Sequence, residues 1–490
     1  MRALALYKNT SLALLTDLYQ LTMAYSYWKE GISERKALYH LFFRRKPFKG
    51  GFVVAAGLEA AVHFIELLKF SEEDLSYLEG LRGWDEVPLF DPAFLDYLAN
   101  LKFTCDVHAV PEGELIFPQE PLVRVTGPIL QCQLLETPLL TLLNFPTLIA
   151  TKAARICHSA RGDSVIEFGL RRAQGIDGGV TASRAAFIGG CSSTSNVMAG
   201  KFFGVPVKGT HAHSWVMAFD DELDSFYSYA RAMPNNCVFL VDTYDTLEGV
   251  KSAIEVGLWL KTQGKKMVGV RLDSGDLAYL SIESRRLLDE AGFHDTLIMA
   301  SNELDEYLIA DLKNQGAKIA VWGVGTALAT ARDCPALDGV YKLSAICDPQ
   351  GQWLHKLKIS EQLVKVTNPG ILQVRRFYKQ GSPIADIIYD ELLGLDEVPC
   401  LVDPLDTTRQ LFIKDADESR DLLKPVFLKG ERVYDLPSLQ QIQENAKRNL
   451  DIFHPGIKRL VNPHEYPVGL ERQLEELKLQ IIKQLRTTRH

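Results

Sequence analysis

The sequence predicts an α/β protein: an irregular parallel (β/α) barrel with a discontinuous α+β domain formed by the N- and C-terminal flanks. Two patterns predict it. Between about residues 236 and 323, short β-branched runs alternate with longer helical stretches. The runs start at 237, 267, 296 and 318, spacings of 30, 29 and 22 residues, which suit βα units. On both sides the pattern changes to strand-like runs divided by Pro and Gly, which favours antiparallel pairing. The expected domains are 1–135, 136–349 (the barrel) and 350–490, the last packing back on the first.

Taken in order, SVIEFG (164–169) and VPVKGT (205–210) read as the early barrel strands, with DGGVTASRAAFIGG and SNVMAGKFFG as helices between them. CVFLVD (237–242) precedes a helix with Leu247, Val250, Ile254 and Leu258 at helix-face spacing. MVGVRL (267–272) precedes LAYLSIESRRLLDEAG, TLIMAS (296–301) precedes ELDEYLIADLKNQG, and KIAVWG (318–323) ends in a glycine turn. The flanks carry CDVHAV, ELIF and LVRVTG on one side and QLVKVTN, ILQVRRFY and PIADIIYD on the other. The N-terminal MRALALYKNTSLALLTDLYQLTMAYSYW, broken by Lys8, Asp17 and Gln20, reads as an amphipathic helix rather than a secretory signal. The apolar stretch from Pro138 to Ala150 contains two prolines and Asn144, short of the ~18 apolar residues of a membrane span.

Composition narrows the function. The chain has 490 residues, 47% hydrophobic and 24% charged, an ordinary globular profile. With 54 Lys+Arg against 62 Asp+Glu, the net charge of -8 argues against nucleic acid or an anionic membrane as partner. Any phosphate must therefore meet a local site. Eight scattered cysteines with no CxxC pair read as reduced thiols of a cytoplasmic protein.

In a parallel barrel the C-terminal strand ends converge on one mouth. Here they offer Arg171 and Arg172; His211 and His213; Asp242 and Asp245; Arg271, Asp273 and Asp276; Asn302 and Glu303; and the glycine-rich VWGVGT. GTHAHS puts two histidines at i and i+2, on one side of a continuing strand. Three readings stand. One histidine is a nucleophile or acid/base oriented by Asp242; or the pair binds a hydrolytic metal, for which no later strand end supplies a histidine; or both are satisfied in a turn. WGVGTALATA reads as a phosphate cradle or as a structural βα turn. RLDSGD offers an arginine, two acids and a glycine turn for phosphate, ribose hydroxyls or Mg²⁺, and Asp273 or Ser274 can equally cap the next helix. Arg171 and Arg172 can hold a carboxylate, with Phe168 as wall for a planar ring, or face solvent.

Seven ordered motifs, TDLYQLTMAYSYW, FFRRKPFKGG with AAGLEAAV, FGLRRAQG, STSNVMAGKFFGVPVKGTHAHS, VRLDSGDL, WGVGTALATA and GVYKLSAI, resemble those of nicotinate phosphoribosyltransferases over nearly the whole chain. The resemblance implies condensation of nicotinate with phosphoribosyl pyrophosphate to nicotinate mononucleotide and pyrophosphate, the first step of NAD salvage from nicotinate. It implies ATP as cosubstrate through a phosphohistidine, Mg²⁺, and a homodimer with shared active sites. His213 resembles the phosphorylated histidine and Asp242 its orienting carboxylate. Tyr19, donated by the partner subunit, and Phe168 resemble the two walls of the pyridine slot. Arg171, Ser195, Thr210 and Arg271 resemble nicotinate-binding positions. Arg44, beside Arg45 and Lys46, is expected to reach pyrophosphate, Asp273 with Ser274 and Gly275 the ribose, and Gly323, Gly325 and Thr326 the 5-phosphate.

Nicotinamide-using relatives place an aspartate at the position of Ser195, which would repel a carboxylate, so the neutral serine favours the acid. His211 departs from the apolar residue frequent in relatives, leaving open a share in phosphoryl chemistry or in substrate binding. The alternatives are a nicotinamide-using transferase and a catalytically silent binding or regulatory homologue. Quinolinate-using relatives are much shorter.

Overall fold

The computed structural model describes residues 10–362 and 365–487. The chain forms two units, one from the chain up to Leu148 together with the chain from Ala336 onward, the other from Ile149–Pro335. The fold is mixed α/β, and each unit has its own kind of sheet.

In the Ile149–Pro335 unit six short strands form one parallel sheet in the order Ser193–Thr194, Ser164–Glu167, Val321–Val324, Leu297–Ala300, Gly269–Leu272, Val238–Leu240. Four lie within the runs the sequence marks, and Val321–Val324 overlaps 318–323. The sixth, Ser193–Thr194, is too short for any periodicity to announce it. VPVKGT forms only a bridge, Val207 to Thr194, although its continuation is tied towards the opposite edge by Asn236 Nδ2 donating to the Gly209 carbonyl (3.2 Å).

The connecting helices start where polar side chains accept otherwise unpaired backbone N–H groups. Asp245 caps Thr246–Thr262, Asp276 caps Leu277–Glu290, Asp305 caps Glu306–Asn314 and Asn196 caps Val197–Phe203. Each such cap is worth about 1 kcal/mol. The helix Thr246–Thr262 buries Gly249, Val250, Ala253, Val256, Gly257 and Leu260, a face rotated from the expected Leu247/Val250/Ile254/Leu258 stripe, and Leu258 is 49% exposed. The glycines explain the rotation. A Cβ at Gly249 would lie 2.1 Å from the Val241 carbonyl and one at Gly257 2.8 Å from the Phe293 ring, so the tightest packing of this helix is made by residues that hydrophobic periodicity ignores.

The other unit is mainly antiparallel, as its Pro- and Gly-divided runs suggest. A seven-stranded sheet draws on both flanks: Gly339–Cys347 pairs with Lys36–Phe43, and Lys424–Leu428 with Asp106–Ala109. A six-stranded sheet holds Leu372–Lys379 and Ser382–Asp390, the latter parallel to Val468–Glu471. In QLVKVTN, Leu363 and Val364 lie outside the described residues and the remainder is not strand. The expected N-terminal helix spans only Leu18–Lys29, because Asp17 is already extended (φ -85°, ψ 149°); residues 1–9 lie outside the described residues. Among the described residues one helical stretch, Ile129–Ser159, is long and apolar enough to cross a membrane, and 61% of its apolar window is buried inside the protein.

A buried polar cluster in this unit yields a pH prediction. Arg376 pairs with Asp386 (2.6 Å), Tyr466 donates to Asp386 (2.9 Å), and Glu120 accepts from the Phe117 N–H (2.8 Å). Burial, with Asp386 alongside, holds the Glu120 carboxyl well above the ordinary carboxylate range; in the unfolded chain it titrates near ~4.3. The folded value being the higher, this contribution to stability is complete below the unfolded value and is lost as pH rises from there towards the folded one. Glu120→Gln is expected to flatten the fall in stability above about pH 4.3, read as urea midpoints across pH. An unchanged slope contradicts a protonated Glu120.

Candidate active site

The strand ends of the Ile149–Pro335 unit gather most of the predicted polar residues. Beyond Ser164–Glu167, Phe168 is half-buried and its N–H bonds the Val324 carbonyl (2.8 Å). Arg171 lies in the exposed 3₁₀ turn Leu170–Arg172. The turn is anchored by Glu167, 1% exposed, which accepts from the Gly169 N–H, Ser183 Oγ (2.8 Å) and Thr194 Oγ1 (2.6 Å). Ser195, half-buried on the neighbouring strand end, donates its N–H to the Glu167 carbonyl (2.9 Å).

Arg271, on Gly269–Leu272, donates to Thr210 Oγ1 (2.8 Å) and to the His211 carbonyl (3.1 Å). Its Nε is buried with no partner. Burial lowers its pKa, Asp273 and Asp242 oppose that, and Arg171 adds to it, so two guanidinium groups share one neighbourhood. Asp273 and Asp242 offset part of the charge, but the buried Nε of Arg271 still has a hydrogen bond to give.

His211 and His213 part company. His211 is 8% exposed, its Nε2 accepts from the Leu240 N–H (3.3 Å), its Nδ1 faces the Ala212 carbonyl (3.4 Å), and it packs edge-on against Tyr229. Burial pushes its pKa down to about 4. It is a neutral core side chain occupying an apolar niche, and the turn reading applies to this histidine. His213 opens the short helix His213–Val216, with its side chain 41% exposed; its Nδ1 bonds Thr243 Oγ1 (3.2 Å) and its Nε2 faces Asp273 Oδ2 at 3.7 Å.

The anticipated Asp242–His213 hydrogen bond is not formed. Asp242 Oδ2 instead accepts from the Asp273 N–H (3.0 Å) and Ser274 Oγ (2.6 Å), bracing the DSGD turn, while its Oδ1 is buried without a partner. Ser301 donates to Asp273 Oδ1. Gly275 takes φ +79°, which the turn requires of a residue lacking Cβ. Neither Asp273 nor Ser274 caps the next helix; Asp276 does. Asp245 is likewise a cap, Glu303 pairs with Arg332 (3.0 Å), and Asn302 stands at φ 108°.

Gly323 has a structural reason of its own: a Cβ there would lie 2.8 Å from the Phe168 ring. Gly325 precedes a helix of only four residues, Thr326–Ala329, in which Thr326 is half-buried. Whatever phosphate affinity the turn has must come from its backbone N–H groups more than from a helix dipole.

Thr243, Glu167 and Glu222 were not singled out by the sequence. Burial, with Asp221, Asp242 and Asp245 near, pushes Glu222 up to about 7, and its Oε1 is buried without a partner. Thr243 lies in the DTYD that follows the Val238–Leu240 strand, a position where attention goes to the acids; Glu167 reads as strand and Glu222 as the start of a helix. Among the described residues no group of three or more His, Cys, Asp or Glu side chains is placed to hold a metal.

Tyr19 and Arg44 belong to the other unit. Tyr19, in the first turn of Leu18–Lys29, is 48% exposed, and Leu15, Leu18 and Met23 beside it in sequence are exposed too. Arg44, with its Nε buried and unpartnered, lines a cavity of about 350 Å³ with Arg45, Lys46 and Lys478.

Family models described as the nicotinate phosphoribosyltransferase (NAPRTase) N-terminal domain and C-terminal domain match residues 14–144 and 372–478. The nicotinate phosphoribosyltransferase of Bacillus subtilis (strain 168) is 45% identical over 488 residues, covering 98% of this chain and 97% of the relative. That of Homo sapiens is 36% identical, with 95% of each covered. Among solved structures, human nicotinic acid phosphoribosyltransferase is similar with a TM-score of 0.82 at 34% identity, covering 95% of this chain and 99% of that one.

Proposed function

This chain belongs to the nicotinate phosphoribosyltransferase family, and from that premise we propose that its parallel-sheet unit carries the site for transfer of the phosphoribosyl group of phosphoribosyl pyrophosphate to nicotinate. The products are nicotinate mononucleotide and pyrophosphate, a step of NAD biosynthesis. The observation that carries the reading is Arg271, half-buried beside Arg171 with a buried Nε that has no hydrogen-bond partner. A pyridine carboxylate supplies the missing acceptor.

The two arginines hold the carboxylate and Phe168 bounds the ring, leaving the pyridine nitrogen directed at C1 of the ribose. As the C1–oxygen bond to pyrophosphate breaks, oxocarbenium character develops and the ring nitrogen forms the new bond; correct alignment supplies much of the acceleration. Thr210, held by Arg271, lies beside the acid, Asp273 with Ser274 and Gly275 receives ribose hydroxyls, and the Gly323–Thr326 turn receives the 5-phosphate. Arg44, with Arg45 and Lys46, draws on the departing pyrophosphate. A second copy supplies Tyr19 as the other wall, a reading supported by the exposed apolar row Leu15, Leu18, Tyr19 and Met23. The bridge at Val207 and the Asn236–Gly209 bond support closure of the sheet into an irregular barrel, with domains near 1–135, 136–349 and 350–490. The absence of a disulfide among the described residues suits a cytoplasmic setting.

Mg²⁺ fits the acids present. Asp242, with an unpartnered buried oxygen, and Asp273 would hold it, since this ion takes one or two carboxylates plus substrate phosphates. When bound it neutralises phosphate charge.

ATP enters through His213. In the tautomer whose Nδ1–H donates to Thr243 Oγ1, at 3.2 Å, Nε2 keeps the lone pair and attacks the γ-phosphorus; the bond to ADP breaks and ADP leaves. Water later cleaves the P–N bond, returning His213 and phosphate, and this hydrolysis draws the condensation towards product. Asp242 acts one step removed, by setting the Asp273 turn that faces Nε2.

The test is turnover with nicotinate, nicotinamide or quinolinate, each with phosphoribosyl pyrophosphate and Mg²⁺. Nicotinate alone is expected to give a mononucleotide at appreciable rate. Preference for nicotinamide would favour the amide-using alternative, and no product with any acid or amide the silent homologue. Ser195→Asp is expected to lower the kcat/KM ratio of nicotinate to nicotinamide by about tenfold or more, since a like charge near the bound carboxylate costs upwards of ~1.4 kcal/mol. An unchanged ratio would remove Ser195 from the slot.

A further inference from the structure

Glu167 has no part in the mechanism above, yet it is among the most enclosed carboxylates of the parallel-sheet unit. At 1% exposure its oxygens take three donors from three segments: the Gly169 N–H of the arginine turn, Ser183 Oγ of the helix Gly175–Ile188, and Thr194 Oγ1 of the edge strand. Its backbone carbonyl takes a fourth, the N–H of Ser195. One residue thus fixes the turn that carries Phe168 and Arg171 and the strand end that carries Ser195. There is little slack around it. A Cβ at Gly169 would meet Ala329 Cβ at 2.2 Å and the Gly325 carbonyl at 2.9 Å, so the turn is also seated against the glycine turn and its short helix.

We propose that Glu167 is a positioning residue that sets the distance between the Phe168–Arg171 turn and Ser195, and thereby the preference for a pyridine carboxylate over the amide. The proposal rests on the nicotinate reading of this site.

The neighbouring bonds show what an amide in place of the carboxylate would lose. Gln has one acceptor oxygen, and its NH₂ carries no lone pair. Facing Gly169, the NH₂ would meet a fixed donor. Facing Ser183 and Thr194, it would turn both hydroxyl protons away; Ser183 can redirect its proton to the Gly179 carbonyl (3.0 Å), but Thr194 loses its bond to Glu167 (2.6 Å). Either way one segment is released, and the distance between Arg171 and Ser195 is no longer fixed.

The experiment compares wild type, Glu167→Gln and Thr194→Val by steady-state kinetics with nicotinate and with nicotinamide, alongside thermal melting. Wild type must first turn over nicotinate; if it does not, the functional reading has failed and Glu167 is not at issue. Given turnover, Glu167→Gln is expected to raise KM for nicotinate by about tenfold or more, with a much smaller fall in kcat and little change in KM for phosphoribosyl pyrophosphate, the signature of lost ground-state positioning. The nicotinate-to-nicotinamide ratio of kcat/KM should fall in step. Thr194→Val, which removes one of the three bonds and with it the acceptor of the Asn196 N–H (3.0 Å), should shift the same two quantities in the same direction by less, and carries the test if Glu167→Gln does not fold. A lowered melting temperature with KM and the substrate ratio unmoved would overturn the proposal, as would an equal loss for both substrates.

Discussion

His213→Ala is expected to incorporate no phosphate from γ-labelled ATP and to lose all stimulation of mononucleotide formation by ATP, leaving a slow ATP-independent transfer. The expectation follows from the geometry at two nitrogens. Nδ1 is engaged by Thr243 at 3.2 Å and Nε2 faces Asp273 at 3.7 Å on a side chain 41% exposed, so one nitrogen is oriented and the other reachable. His211, neutral and bonded at Leu240, cannot substitute. The rate with ATP should fall to the rate without it. Thr243→Val should slow labelling without abolishing it, and acid-labile, alkali-stable label retained in His213→Ala would refute the assignment.

Arg271→Ala is expected to raise KM for nicotinate by about 10- to 150-fold, the equivalent of the ~1.5–3 kcal/mol carried by a hydrogen bond to a charged group. The guanidinium also donates to Thr210 Oγ1 and to the His211 carbonyl, so truncation releases that segment as well. Arg271→Lys should recover little, because one ammonium cannot keep both of those bonds and meet a carboxylate side-on. Steady-state kinetics against nicotinate and phosphoribosyl pyrophosphate separate the effects: KM for the second substrate should move far less. Equal changes in both would indicate collapse of the strand end rather than loss of an acid-binding group.

The parallel strands were legible because βα units impose both a spacing and a short apolar run; four of six fell within the marked runs and a fifth overlaps one. What escaped has physical causes. Ser193–Thr194 is too short to show a period. Thr246–Thr262 packs through Gly249 and Gly257, which hydrophobic counting cannot see.

At the site, the sequence finds polar strand ends but cannot sort their tasks, because an acid just after a strand is equally suited to capping a helix. Asp245 and Asp276 do that, whereas Asp242 and Asp273 do not. Asp242 was the natural partner to assign to His213, yet hydroxyl-bearing Thr243 holds that nitrogen because the Asp242 carboxylate is already committed to the DSGD turn. Tyr19 and Arg44 lie in the other unit, where strand-end reasoning has no purchase, and only the family resemblance named them.

The most direct measurement is a crystal structure of the protein with nicotinate mononucleotide bound. The account predicts the pyridine carboxylate within hydrogen-bond reach of Arg171 and Arg271, the ring against Phe168, and the 5-phosphate at Gly325 and Thr326. A mononucleotide seated elsewhere, or with its phosphate against the two arginines and its ring at the glycine turn, would contradict it.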